Sequence, residues 1–220
     1  MKKFWYKLKA RFLTIFGDIK IFRWPLFLVY DPSDYEITGE EKIEVLRHIK
    51  PGDVVIRGYN HYLDGKFIPS KHGWSHAGVY IGNYKVIHAV AEGVSEINIL
   101  DFMNCDRILV MRPLNCVDIG IERAKRFLKE RVPYDFGFNN GISALYCFEL
   151  AAECYKELRL EKKKVSLLKG LIKRKDPVYL AESFIESDDF LYIALYNKKY
   201  GQKFIVDNDR LEEKERCLNF

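Results

Sequence analysis

Three side chains in this sequence are of the types that carry out nucleophilic acyl transfer: Cys147, His76 and His88. A thiol becomes a strong nucleophile once an imidazole takes its proton, and a further polar group that holds the imidazole completes the set. Cys147 lies in Tyr146-Cys147-Phe148-Glu149-Leu150. The pattern predicts a helix from Ala144 to about Leu158, with Ser143 as its cap, so Cys147 falls about one turn in. Backbone N–H groups and the positive end of the helix dipole favour a thiolate there. The N–H of Cys147 itself points toward where an oxyanion would form.

The histidines lie on a predicted β-hairpin. Ser75–Ile81 reads as one strand, Gly82-Asn83-Tyr84 as a turn and Lys85–Val90 as the return strand. Side chains alternate faces, so His76, Gly78 and Tyr80 share one. If Ile81 pairs with Lys85, His76 lies opposite Val90 and His88 opposite Gly78. The imidazoles are then diagonal neighbours on one face, about 7–8 Å apart at Cα, with glycine leaving space between them. A register shifted by one residue would separate them. In the favoured register Glu92 is the other diagonal neighbour of His76, so His88 and Glu92 are both candidates to orient that ring.

Each residue also has a plainer structural role open to it. Cys147 shares an apolar stripe with Ala144, Phe148, Ala151, Cys154 and Tyr155, and a buried cysteine often only fills space. Cys154, two turns later, is expected to be structural. Tyr134 reads as a loop anchor more than as a catalytic donor. Glu149 is expected to sit in the first helical turn, where negative charge is favourable. His72 and His76 have metal-pair spacing, but Gly73 and the following strand argue against a helix there, so no metal or other cofactor is expected. Five cysteines with no CxxC pair give neither a disulfide framework nor a zinc knuckle, and suit a reducing compartment.

These residues need elements to position them. The chain has 220 residues, 48% of them hydrophobic and 30% charged, enough for a real core. Thr38 is placed to cap a helix running through Arg47, Val54-Val55-Ile56 is a strand after the Pro51-Gly52 turn, and residues 57–74 read as a loop. Two further strands are expected at Ser95–Leu100 and Ile108–Arg112, a helix at Ile119–Arg131, and a loop over 132–142. Lys162–Lys175 reads as a solvated face or a loop with a short helix, and apolar patches follow at Tyr179–Phe184 and Phe190–Tyr192. Residues 1–30 are basic and aromatic. Phe4, Trp5, Leu8, Phe12, Ile15, Phe16 and Ile19 recur at helical spacing up to the Trp24-Pro25 break. This segment reads as a helix packed on the domain, with contact to a membrane surface as the other reading. The division is a basic aromatic extension, 1–35, and a catalytic domain, 36–220.

Net charge is +5, and no zinc-finger, RNA-recognition or basic-heptad pattern accompanies it, so nucleic acid is not an expected partner. Charged residues interrupt the apolar start and no span-length apolar run occurs, so a cytoplasmic chain, with peripheral membrane association as an option, is the expectation.

Taken together, Pro51-Gly52-Asp53-Val54-Val55, Ser75-His76-Ala77-Gly78-Val79-Tyr80-Ile81-Gly82, Val86-Ile87-His88-Ala89, Tyr146-Cys147-Phe148-Glu149-Leu150 and Asp176–Ile185 resemble the permuted papain-like amidases of the YiiX/YaeF type, relatives of the NlpC-type cell-wall peptidases. The resemblance covers roughly residues 50–195, and the cysteine follows the hairpin, the reverse of unpermuted members. It implies an α+β, circularly permuted papain-like (NlpC-type) fold, in which an antiparallel barrel-like sheet packs against the helix carrying the nucleophilic cysteine. Carried over by position, it implies Cys147 as nucleophile, His76 as base and His88 as third residue, where permuted relatives often have glutamate. Val132-Pro133-Tyr134 resembles a tyrosine-bearing loop of unpermuted members. Phe148 departs from the family, which usually has serine there, and the family's export signal is not recognised. The implied activity is cysteine-dependent hydrolysis of an amide, peptide or isopeptide bond through a thioacyl-enzyme. The alternatives are a lipid acyl hydrolase or acyltransferase at a membrane surface, touching it through residues 1–30, and a silent module that binds a polymer or membrane.

Overall fold

The computed structural model describes residues 2–17, 19–21, 28–30, 35–60, 73–139, 141–164, 166–167, 172–173 and 176–206. In chain order these form α1 (Lys2–Gly17), β1 (Ile19–Ile21), β2 (Leu28–Tyr30), α2 (Gly39–His48), β3 (Val54–Gly58), β4 (Trp74–Tyr80), β5 (Lys85–Val90), β6 (Gly93–Asn98) and α3 (Ile99–Phe102). There follow β7 (Arg107–Pro113), α4 (Val117–Glu130), α5 (Cys147–Cys154), β8 (Ser166–Leu167), β9 (Ile172–Lys173), α6 (Ala181–Ile185), β10 (Phe190–Asn197) and β11 (Gln202–Ile205).

Seven strands form one sheet in the order β11-β10-β7-β3-β4-β5-β6. Every pairing in it is antiparallel. Period-two alternation sorts the side chains onto two cores. Val54 and Ile56 of β3, Ala77 and Val79 of β4, and Ile87 and Ala89 of β5 pack with α4 and α5. Val55, Tyr80, Val86, Ile108 and Val110 point the other way, toward α2 and Phe102 of α3. The permuted papain-like architecture expected from the resemblance, an antiparallel sheet against the helix that begins at Cys147, is the fold observed.

The local readings survive where turn and cap chemistry is strong. Thr38 caps α2, taking the Glu41 N–H on its hydroxyl while the Glu41 carboxylate takes the Thr38 N–H at 2.8 Å. In the hairpin, Ile81 N–H donates to Lys85 O at 2.9 Å and Gly78 faces His88, the register that unites the imidazoles.

Other readings are corrected. The Cys147 helix starts at Cys147, not Ala144; its cap position is Tyr146, and Ser143 lies outside it. Backbone pairing of residues 133–135 with Leu145 holds the chain extended up to that point. The helix also ends at Cys154, earlier than Leu158. Within Lys162–Lys175, Ser166 and Leu167 pair with Lys173 and Ile172 as a two-stranded ladder, where a solvated face or a loop with a short helix was expected. In the N-terminal segment α1 stops at Gly17, a poor helix former, and β1 pairs with β2; Trp24-Pro25 lies outside the described residues. Nor are the described side chains of the apolar stripe of α1 buried. Ala10 is its buried contact and Tyr6 is half-buried, while Phe4, Trp5 and Leu8 are exposed.

A buried ion pair ties the turn before β3 to β7. Arg112 Nε donates to Asp53 Oδ1 at 2.8 Å and its Nη2 to Asp53 Oδ2 at 2.9 Å, with Lys50 N–H also donating to Oδ2. Removing one partner strands a charge away from water, which costs about 3–5 kcal/mol. Asp53→Ala is therefore expected to lower the denaturant unfolding free energy by about that much, and pairing it with Arg112→Met to recover most of the loss. A loss under about 1 kcal/mol for the single variant would contradict this role.

Candidate active site

Cys147 is the first residue of α5 and is buried. Leu150 N–H donates to Tyr146 O and closes the first turn, and the Tyr146 hydroxyl accepts the Tyr179 N–H at 2.7 Å, tying the helix start to the segment before α6. The first N–H groups of a helix have no intrahelical acceptor. Here those of Cys147 and Phe148 are directed at the Cys147 sulfur, together with the N–H of Ala77.

The Ala77 N–H is available because of the sheet. Continuing the β4–β5 register would set Ala77 opposite Ala89, but the ladder ends at Gly78 and His88. The sulfur occupies the place where the strands part, with Sγ 3.9 Å from Ser75 O and within reach of the Ala77 N–H. It thus lies against the two peptide neighbours of His76, on the edge of β4.

The imidazoles meet as the register requires. His76 Nε2 and His88 Nδ1 are 2.9 Å apart, with ring centroids 5.1 Å apart. Gly78 makes this approach possible, since a Cβ on it would stand 2.5 Å from Val86 Cγ1 and 3.2 Å from His88 Cβ. Both rings pack on Phe102, at 5.6 and 5.9 Å, on the face of the sheet turned away from α5. Among the described hydrogen bonds none joins the Cys147 sulfur to either imidazole. The structure therefore brings Cys147 to the strand of His76 and brings His88 to His76, with the sulfur at the strand's edge and the rings on its face.

Sequence reasoning missed Arg57. It lies opposite His76 on β3, with its guanidinium 4.6 Å from the Phe102 ring centre and Nη1 donating to Phe102 O at 3.1 Å. Its distance along the chain hid it, since the sequence between β3 and β4 carries no readable turn that would pair them. Its charge acts on all three site residues. Burial lifts the Cys147 thiol to about 11, against the pull of the three N–H groups and of Arg57. Burial pushes His76 well below the usual imidazole range, with Arg57 and His88 adding to it. Burial and Arg57 push His88 down to about 3. At neutral pH the resting site is a thiol beside two neutral imidazoles, not the thiolate–imidazolium pair that a helix N-terminus and a charged histidine would give.

Glu92 is exposed in the turn between β5 and β6, so the ring partner of His76 is His88. Tyr134 stacks on Phe136 at 5.1 Å and its N–H donates to the Tyr6 hydroxyl at 3.0 Å, in the loop that pairs with Leu145. Cys154 is fully buried and its thiol is pushed up by burial. Glu149 is in the first turn of α5 but is not a solvated anion; it is buried, and that raises its carboxyl to about 7. Among the described residues no three or more His, Cys, Asp or Glu side chains gather as metal ligands. His72 lies outside the described residues.

A family model for permuted papain-like amidase enzymes, YaeF/YiiX, matches residues 48–194, a span that contains His76, His88 and Cys147. Protein OPG091 of Variola virus (isolate Human/India/Ind3/1967) and its counterpart of the same name in Vaccinia virus (strain Copenhagen) are 26% identical over 154 residues, 66% of this chain and 84% of theirs. The crystal structure of yiiX from Escherichia coli O157:H7, called a metalloprotein, superposes with a TM-score of 0.55 at 16% identity, over 68% of this chain and 99% of that one, a likeness of fold.

The depressed imidazole of His88 makes a stability prediction. Its pKa is about 3 when folded, against 6.5 as the ordinary value. The unfolded chain therefore binds the proton first as pH falls, and stability that is complete above pH 6.5 is lost toward pH 3. In urea unfolding between pH 6 and 4, the stability difference between wild type and a variant lacking this imidazole should fall by about 1.4 kcal/mol per pH unit, the share of one histidine. His88→Asn is expected to remove that share of the slope and leave the part due to His76; parallel pH dependence of the two proteins would refute the assignment.

Proposed function

We propose that this chain, which belongs to the permuted papain-like amidase family, YaeF/YiiX, cleaves an amide, peptide or isopeptide bond through a thioacyl-enzyme on Cys147, with His76 as base and His88 as the residue that orients it. The observation that carries the reading is the bond between His76 Nε2 and His88 Nδ1 on the strand whose flanking peptide groups hold the Cys147 sulfur.

Proton bookkeeping selects the tautomer. His76 Nε2 faces His88, so its Nδ1 is the nitrogen left for the nucleophile. His76 then carries its proton on Nε2 and donates it to His88 Nδ1, and His88 keeps its own on Nε2. A depressed pKa keeps His76 in its unprotonated, accepting form at neutral pH. The sulfur must swing from Ser75 O toward that Nδ1 as substrate binds, a tightening common to catalytic hydrogen bonds that are loose in the free enzyme.

The Cys147 S–H proton passes to His76 Nδ1 as the sulfur attacks the carbonyl carbon. The negative charge moves to the carbonyl oxygen, with the N–H groups of Ala77, Phe148 and Cys147, which are directed at the sulfur, as the donors at hand. Arg57 favours that negative charge, as it favours the thiolate. Collapse of the tetrahedral intermediate breaks the C–N bond, and His76 gives its proton to the departing amine. Water then attacks the thioester, again losing its proton to His76, and the second collapse releases the carboxylic acid and restores the thiol. The solved relative is called a metalloprotein, but the residues gathered here are a hydrogen-bonded histidine pair and a thiol, and every step uses those groups.

Labelling with an acyl-type electrophile tests the reading. Wild type is expected to be modified at Cys147, and Cys147→Ala to abolish modification. His76→Ala should slow it by about a hundredfold or more, as loss of a general base does. His88→Ala should slow it less, and Cys154→Ala should leave it within about twofold. Labelling that survives Cys147→Ala, or that falls on Cys217, would end the proposal in favour of a silent binding module.

A further inference from the structure

Helix α1 meets the rest of the chain at Tyr6 and Ala10. Ala10 is buried, and Tyr6 packs its ring 5.4 Å from Phe136 while its hydroxyl accepts the Tyr134 N–H. The opposite side carries large apolar groups in water: Phe4 is 67% exposed, Trp5 58% and Leu8 50%, and Phe12 continues the same face at 63%. At about 100° per residue these four fall within an arc of roughly 100°, centred opposite Tyr6 and Ala10. Lys7 and Arg11 border that arc on one side and Lys9 on the other, all three exposed, and the helix contains no acidic residue.

Large apolar side chains scattered singly on a surface need no explanation, but a contiguous aromatic face rimmed by polar residues marks a contact. The charge decides what it contacts. Two copies of α1 packed face to face would set cationic edges against cationic edges, which is unfavourable. An anionic lipid surface supplies both things the helix lacks, an apolar layer for the rings and negative headgroups for the rims. The helix has 16 residues, about 24 Å at 1.5 Å per residue, and no helix among the described residues is long and apolar enough to cross a membrane. The matching geometry is a helix lying in the interface plane.

We propose that α1 is an interfacial anchor that seats this chain on anionic membranes, with Phe4, Trp5, Leu8 and Phe12 entering the acyl boundary and Lys7, Lys9 and Arg11 meeting headgroup phosphates. The anchor is tied through Tyr6 to the loop 133–136, whose backbone pairs with Leu145 two residues before Cys147, so membrane docking holds the lipid surface on that side of the molecule. This inference does not depend on the chemistry assigned to Cys147, because lipid binding requires no turnover.

Co-sedimentation of the full chain with phosphatidylcholine vesicles, with and without phosphatidylserine, tests it. Wild type is expected to bind the phosphatidylserine vesicles at least tenfold more strongly than pure phosphatidylcholine, and less strongly as salt rises. The triple variant Phe4→Ser/Trp5→Ser/Leu8→Ser should lose at least tenfold in binding, and Lys7→Gln/Lys9→Gln/Arg11→Gln should lose the preference for anionic lipid. Tryptophan emission should move to shorter wavelength on binding, and Trp5→Phe should lose that shift. Should the serine variant fail to fold, quenching of wild-type Trp5 by brominated lipid replaces it. Failure of wild type to bind the phosphatidylserine vesicles, equal binding by a folded serine variant, or an unquenched Trp5 would overturn the proposal. So would a wild-type dimer that the serine variant dissolves, which would make a second copy the occupant of this face.

Discussion

The site depends on where one antiparallel ladder stops. As long as β4 and β5 pair, their peptide groups satisfy one another; once pairing ends at Gly78 and His88, the Ala77 N–H needs another acceptor. The sulfur of Cys147 fills that role from the start of α5, adding the two free N–H groups of the helix itself. The same register sets the rings of His76 and His88 across a glycine, close enough to bond. A slip of one residue would lose both arrangements together, since it would turn the rings to opposite faces and move the free edge of the strand.

Burial then governs the charge state. A half-buried His76, a buried His88 and a buried thiol all favour their neutral forms. Arg57 adds a fixed positive charge that opposes protonation of the rings and favours negative charge on sulfur. The site is thereby biased toward carrying an anion while being reluctant to carry a cation. In the proposed reaction this suits a base that must be unprotonated at the outset and an intermediate whose charge sits on oxygen. It also makes the site costly to hold at low pH, because each proton taken up by the unfolded chain is refused by the folded one.

The core and the surface helix answer to different forces. The two sheet faces are filled by apolar side chains from α2 and α3 on one side and α4 and α5 on the other, and the Asp53–Arg112 pair bridges the strands between them. Helix α1 meets the domain at Tyr6 and Ala10, and turns Phe4, Trp5 and Phe12 outward. An apolar stripe on a helix reads the same in sequence whether it faces a core or a membrane, which is why the exposure of Phe4, Trp5, Leu8 and Phe12 could not be read from periodicity.

What the residues alone determined was local in origin. Strand alternation and a short turn placed His76 and His88 on one face; Thr38 and Glu41 announced the start of α2; and the order of hairpin and cysteine pointed to the permuted family. These follow from steric and hydrogen-bonding rules acting over a few residues. The start of α5 escaped because residues 133–135 hold Leu145 extended, a pairing Ser143 could not signal. Only the tertiary structure decided the rest: that Arg57 arrives opposite His76, that His88 is bonded to His76, that Glu149 is buried, and that the thiol and imidazoles rest neutral. Those outcomes are set by desolvation and Coulomb energies, which depend on every group packed nearby, however distant in the chain.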